Sequence, residues 1–213
     1  MPSSSDRRLV AGLAVLAWIT QTFASGRLAL APAVFAAPFF ALQVIERTRS
    51  RVGIACVFVV QWMAFVVQWR GYILAPLPVY VAVSLGYSIL GLLPYLAHVA
   101  LAKGRPRAWS ILAFPSALAL TETVTRWLSP YGSWGATAYA LPGEGVIGAL
   151  AAFLGLNSAA FAVGFVASAA SWYVREGRGG WGGRGWEGRE HRRARVVLAA
   201  VVAGFWLAGT LAN

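Results

Sequence analysis

Cysteine is almost missing from this sequence. Its 213 residues contain one, Cys56. A single thiol excludes an intrachain disulfide and any cysteine-based metal cluster within one chain. Histidine is nearly as scarce. His98 and His191 stand far apart on different segments, so no metal site is expected. Charge is thin as well: 12% of residues are charged, against about 25% in an ordinary soluble domain. No GxGxxG, P-loop, HExxH or GxSxG stands in a suitable context, and no Cys/His pair is present for nucleophilic work. No cofactor is expected.

Apolar residues take up the room. They make up 59% of the chain, and the mean hydropathy is +0.65. That is more apolar surface than a soluble core of this size needs, and it points to an all-α, polytopic membrane bundle. A spanning helix requires roughly 17–25 apolar residues. About seven stretches qualify or nearly qualify: 9–24, 28–45, 52–69, 77–102, 108–128, 145–174 and 196–212. Together they form one transmembrane domain over residues 1–213. Pro32 and Pro38 should kink or break the second span. The sixth is long enough to hold a short re-entrant or interfacial piece before the span. The first also has the charged start and small-residue end of a signal peptide, whose removal would leave the other loops oriented as before.

The net charge of +11 would suggest nucleic acid in a soluble protein. Here the basic residues read as topology signals instead, and no nucleic-acid partner is expected. Arg7 and Arg8, then Arg47, Arg49 and Arg51, then Lys103, Arg105 and Arg107, and finally seven arginines within 175–195 all fall on one side. Only Arg27, Arg70 and Arg126 fall on the other. Positive residues stay in the cytoplasm, so the N-terminus is expected inside and the C-terminus outside. The Gly/Trp/Arg stretch 175–195 reads as a flexible cytoplasmic loop against anionic headgroups, at about 1 kcal/mol per basic residue near the surface.

A few polar residues interrupt the apolar spans. Glu122 lies inside 108–128, where a charge costs roughly 2.5–3.5 kcal/mol at the bilayer centre. Arg126 is four residues on, on the same helical face, and is expected to pair with it. Gln61 and Gln68 share a face of the third span, with Trp62 and Trp69 on a neighbouring line. That pattern fits interhelical hydrogen bonds with an aromatic anchor, and equally a groove for a lipid headgroup or acyl chain. Asn157 and Ser158 suit helix–helix contacts. The outer stretch SPYGSW, residues 129–134, combines a turn (Pro130, Gly132), two interfacial aromatics (Tyr131, Trp134) and two hydroxyls (Ser129, Ser133). The hydroxyls offer donors for phosphate or ester oxygens.

The stretch 114–139, FPSALALTETVTRWLSPYGSWGATAY, resembles the membrane domain of the apolipoprotein N-acyltransferase family. The matching pieces are Glu122, Arg126, SPYGSW, Tyr139, Leu141 with Pro142, and the Gly155-Leu156-Asn157 break. Upstream, the prolines of the second span and the LPYLA closing the fourth fit as well. The resemblance implies a bacterial inner-membrane protein that binds phospholipid and lipoprotein substrates at its outer side. Ser129, Tyr131, Ser133, Trp134, Tyr139 and Trp69 are the substrate-binding candidates, and Glu122 and Arg126 are a structural pair. The family places a nitrilase-type domain after the seventh span, where a Glu–Lys–Cys set carries out the acyl transfer. Cys56 and Lys103 match no member of that set, so no catalytic residue is assigned here and transfer would draw on a nitrilase-domain partner. The rival readings are a non-catalytic lipid-binding or scaffolding protein and a small transporter.

The basic asymmetry makes the topology testable. Reporter fusions at Arg184 and after Asn213 should give opposite signals, cytoplasmic and external. Matching signals would refute seven spans.

Overall fold

The computed structural model describes residues 4–71, 73–104, 108–129, 132–133, 135–141, 151 and 154–179. The expected span 196–212, most of the basic loop, Tyr131 and Trp134 lie outside the described residues. Among the described residues the fold is all-α, with no strand. The helices are α1 (Ser4–Thr22), α2 (Ala31–Arg47), α3 (Ser50–Gln68), α4 (Leu77–Leu90), α5 (Leu93–Leu101), α6 (Ala113–Leu128) and α7 (Leu156–Gly179). Short 3-10 turns cover Gly26–Leu28, Ala108–Leu112 and Thr137–Ala140.

Among the described residues, two units are long and apolar enough to cross a membrane: α3, and α4 with α5 as one stretch from Leu77 to Leu101. Less than a third of either is buried inside the protein. Their outward faces carry Val52, Val59, Met63, Val67, Val79 and Ile89, all exposed. The seven-span count is not established by these two units. The boundaries also differ from the expected ones. Residues 108–112 are a 3-10 turn ahead of α6 rather than part of it. In the expected sixth span, Gly155 takes φ +83°, a left-handed conformation open to glycine, and α7 begins only after it.

α2 is the central helix. It packs on α1, α3 and α7, and its Leu42, Val44 and Ile45 are fully buried. It runs unbroken through Pro38. The proline removes one backbone hydrogen bond, and the packing of α1, α3 and α7 around the segment keeps it helical. Around α2, one core cluster joins Leu42, Ile45, Val57, Tyr95, Phe114 and Ala167. A second joins Val34, Leu141, Ala159 and Val163.

The break between α4 and α5 has a local cause and a distant remedy. Pro94 lacks an N–H, so the Leu90 carbonyl one turn before it loses its usual donor, and the helix is interrupted at Gly91 and Leu92. Gln61 on α3 donates its amide to the Gly91 carbonyl at 3.3 Å. A side chain at position 91 would obstruct this approach, since an added Cβ would lie 3.2 Å from the Gln61 nitrogen. Gln68 acts likewise at the end of α3. It donates to the Gln21 carbonyl of α1 and accepts from Ser25 Oγ at 3.0 Å. The glutamines on one face of α3 are interhelical ties.

α7 meets α6 and α2 through small residues: Ala159, Ala160, Ala162, Ala167, Ser168 and Ser171 are buried. Small residues let helix backbones approach closely. At the tightest point a Cβ on Gly164 would come within 2.8 Å of the Pro115 Cα. At the far end of these helices, Glu46 Oε1 lies 2.7 Å from His98 Nε2 and 3.3 Å from Arg175 Nη1. Burial alone would raise the Glu46 carboxyl. The His98 hydrogen bond and the charges of His98, Arg175 and Lys103 outweigh it and hold the group below its ordinary value.

Gly164→Ala should therefore destabilise the protein by about 1–3 kcal/mol through overpacking against the Pro115 backbone. Gly12→Ala is the control, because nothing lies within 4 Å of a Cβ there. Thermal unfolding in detergent should show a clear drop for the first and none for the second.

Candidate functional site

α6 presents Glu122 and Arg126 one turn apart near its C-terminal end. Thr121 and Thr123 return their hydroxyls to carbonyls four residues back, at 2.7 and 2.8 Å, and so add no unpaired donors to the helix. The helix stops at Ser129, which is extended and whose N–H still reaches the Thr125 carbonyl at 2.8 Å. The chain then turns back. Gly132 and Gly135 take φ +60° and +80°, positions that would strain any side chain. The N–H groups of Gly132 and Ala136 close on the carbonyls of Ser129 and Ser133.

The returning segment ends on Glu122. Thr137, first residue of the 3-10 turn, donates its backbone N–H to Glu122 Oε1 at 3.0 Å and its hydroxyl to the same oxygen. The residue before it, Ala136, cannot cap the turn with a side chain. A carboxylate from another helix does so instead, favoured by the partial positive charge of the exposed N–H groups.

Glu122 and Arg126 do not form the expected ion pair. Arg126 Nη2 turns to Asn157 Oδ1 at 2.7 Å, and Asn157 Nδ2 donates to Thr123 Oγ1 at 2.6 Å. One amide at the start of α7 thus holds α6 at two positions. The i, i+4 spacing made the two charges neighbours, but Thr137 and Asn157 offer each a better-placed partner. Two polar atoms stay uncommitted and buried: Glu122 Oε2 and Arg126 Nε.

Both residues line a cavity of about 180 Å³ within the bundle. Ser133, Gly135 and Thr137 border it on the loop side, and Gln21 and Ser25 on the side of α1. Deeper, the walls are Val34, Ala37, Phe65, Leu118 and Val163, reaching Tyr95 and Phe114. The cavity therefore joins a charged pair and the Gln61 amide, whose Oε1 is also buried without a partner, to mostly apolar walls.

The sequence-chosen residues divide. Trp69 lines the cavity and is 3% exposed; it stacks on Phe65 at 4.6 Å and meets Tyr87 edge-on at 5.0 Å. Tyr87 shares a hydrogen bond with Ser129 at 2.7 Å, so Trp69 and Ser129 are joined through a residue that carried no sequence signal. Ser133 lines the cavity and bonds the Tyr139 hydroxyl at 2.8 Å. Tyr139 itself is 63% exposed. Tyr131 and Trp134 lie outside the described residues. Sequence reasoning missed Tyr87, Tyr95 and Thr137; a threonine opening a turn after glycine was the only available sign.

A family model described as apolipoprotein N-acyltransferase N-terminal domain matches residues 10–169. That interval contains every described residue that lines the cavity. No curated protein and no solved structure matches the chain.

Removing the carboxylate should free the loop. Glu122→Ala leaves the Thr137 N–H and hydroxyl without their acceptor and should cost about 1–3 kcal/mol. Glu122→Gln retains an acceptor oxygen and should cost less. Thermal unfolding, with amide exchange at Thr137 as a local readout, would rank the two.

Proposed function

The chain belongs to the apolipoprotein N-acyltransferase N-terminal domain family, and from this we propose that it is a polytopic membrane domain receiving phospholipid and lipoprotein substrates in its cavity. The observation that carries the reading is the cavity's chemistry. A buried carboxylate oxygen and a guanidinium nitrogen, neither with a partner in the protein, share a cavity whose other walls are mostly apolar. A lipid has the same division, a polar head and an apolar chain. At about 180 Å³ the space is smaller than the roughly 300–1,000 Å³ of sites that enclose a whole small molecule. It suits one end of a lipid, with the remainder lying along the apolar exterior.

In this reading the chain crosses the bacterial inner membrane in about seven spans, with the N-terminus inside and the cavity mouth and C-terminus outside. SPYGSW is the outer turn bordering the lipid entrance, with Tyr131 and Trp134 at headgroup level and Ser129, Ser133 and Tyr139 around it. Acyl transfer is the work of a nitrilase-type domain. Within this chain a thiolate nucleophile would need a base in hydrogen-bond reach. Cys56 lies twelve residues before the end of α3, roughly 18 Å along the axis at 1.5 Å per residue. Lys103 donates to the Thr48 carbonyl at the end away from the mouth.

The test has two arms. The purified chain should bind a fluorescent phospholipid, and Glu122→Leu or Arg126→Leu should weaken that binding about tenfold or more, the scale of one lost charge-assisted contact. No binding would leave the scaffolding reading. With a diacyl lipopeptide acceptor, the chain alone should transfer no acyl group, and adding a nitrilase-domain protein should give turnover. Turnover by the chain alone that disappears in Cys56→Ala would overturn the proposal.

A further inference from the structure

Glu46 joins three helices at the end of the bundle away from the cavity mouth. One of its oxygens meets His98 Nε2 of α5 at 2.7 Å and Arg175 Nη1 of α7 at 3.3 Å, while its own backbone belongs to α2. Toward a carboxylate, the histidine nitrogen and the guanidinium both donate. Other ties repeat the pattern. Gln43 of α2 donates to Ser171 Oγ of α7 at 2.9 Å, and Lys103, just past α5, donates to the Thr48 carbonyl at 2.6 Å.

The same three helices are walls of the cavity: α2 at Ala37 and Pro38, α5 at Pro94 and Tyr95, and α7 at Val163. In α2 and α5 a proline stands at the cavity, between it and the Glu46 cluster. Pro38, inside α2, deletes one backbone hydrogen bond of its helix, and Pro94 opens α5 just after the break that separates it from α4. The segments from Pro38 to Glu46 and from Pro94 to His98 are thus arms with a joint at the cavity, a missing hydrogen bond in α2 and a helix break before α5, and a fastened tip.

We propose that the Glu46–His98–Arg175 cluster is a clasp that sets the separation of α2, α5 and α7 and so controls access to the cavity, with Glu46 as its positioning residue. The inference depends on the cavity alone and not on what fills it. The charged groups facing Glu46 are His98 and Lys103 from α5 and the residues after it, and Arg175 from α7. Arg47, on its own helix, is bonded to Gln43 Oε1 at 3.1 Å. His98, Arg175 and Lys103 together hold the carboxylate in its charged form against the opposing effect of burial. Because its folded-state proton affinity lies below the ordinary one, the clasp is closed above about pH 4.5 and is lost as pH falls through the lower folded value.

Thiol labelling reads access directly. Ala37→Cys in a Cys56→Ser background places a thiol on the cavity wall, and its reaction with dithiodipyridine is followed in detergent. Glu46→Gln and Arg175→Ala should each speed labelling about tenfold, the factor carried by one charge-assisted hydrogen bond. The two together should add little beyond one, since they break the same contact. Arg175→Lys should restore much of the slow rate. In the parent, labelling should accelerate as pH drops below about 4.5, and Glu46→Gln should abolish that acceleration. The native Cys56, which does not line the cavity, reports general loosening in otherwise identical chains. An unchanged rate at position 37, or a parallel rise at Cys56, would overturn the clasp, whatever the outcome of the lipid-binding test.

Discussion

The hydrogen bonds from Thr137 to Glu122 are the constraint on which the outer architecture rests. They turn a carboxylate inside an apolar helix from a cost into an anchor. With the anchor in place the chain after α6 must reverse, which requires the left-handed glycines at 132 and 135. The reversal brings Ser133 and Thr137 over the cavity and leaves Glu122 Oε2 directed at a space with no protein partner. A stabilising contact and a receptive one therefore occupy the two oxygens of a single side chain.

The same economy runs through the bundle. Polar side chains on apolar helices are placed where a backbone has lost a partner or an end must be closed. Gln61 reaches the carbonyl exposed near Pro94, Gln68 closes the loop after α1, and Asn157 serves Arg126 and Thr123 together. In a low-dielectric setting each unmet donor or acceptor costs more than an apolar neighbour gains. Such residues are then as decisive for the packing as the alanines of α7.

Helical character was legible from the sequence because long apolar runs admit little else. Several boundaries were legible too: 52–69 became Ser50–Gln68, and 77–102 became Leu77–Leu101 with a break at Gly91. Of the expected kink or break at Pro38, the break did not occur: tertiary packing carries α2 through a residue that would break an isolated helix. The spacing of Glu122 and Arg126 misled in a different way. Periodicity shows which residues are neighbours on one helix, but it cannot show that Thr137 and Asn157 arrive from elsewhere. The cavity itself was invisible, since its walls come from all seven described helices. Glu46, His98 and Arg175 gave no local pattern at all.

Those last three residues also impose a schedule on synthesis. His98 follows Glu46 by 52 residues and Arg175 follows it by 129. At roughly 5–20 residues per second, Glu46 emerges about 6–26 s before its arginine exists. The partners of Gln68, by contrast, are Gln21 and Ser25, already made. The first three helices can thus settle into one another as soon as they appear, while the acid on the central one gains its histidine with α5 and waits for its arginine until the last described helix is made. The nascent protein is obliged to pass through a half-built stage with its most buried helix still one partner short.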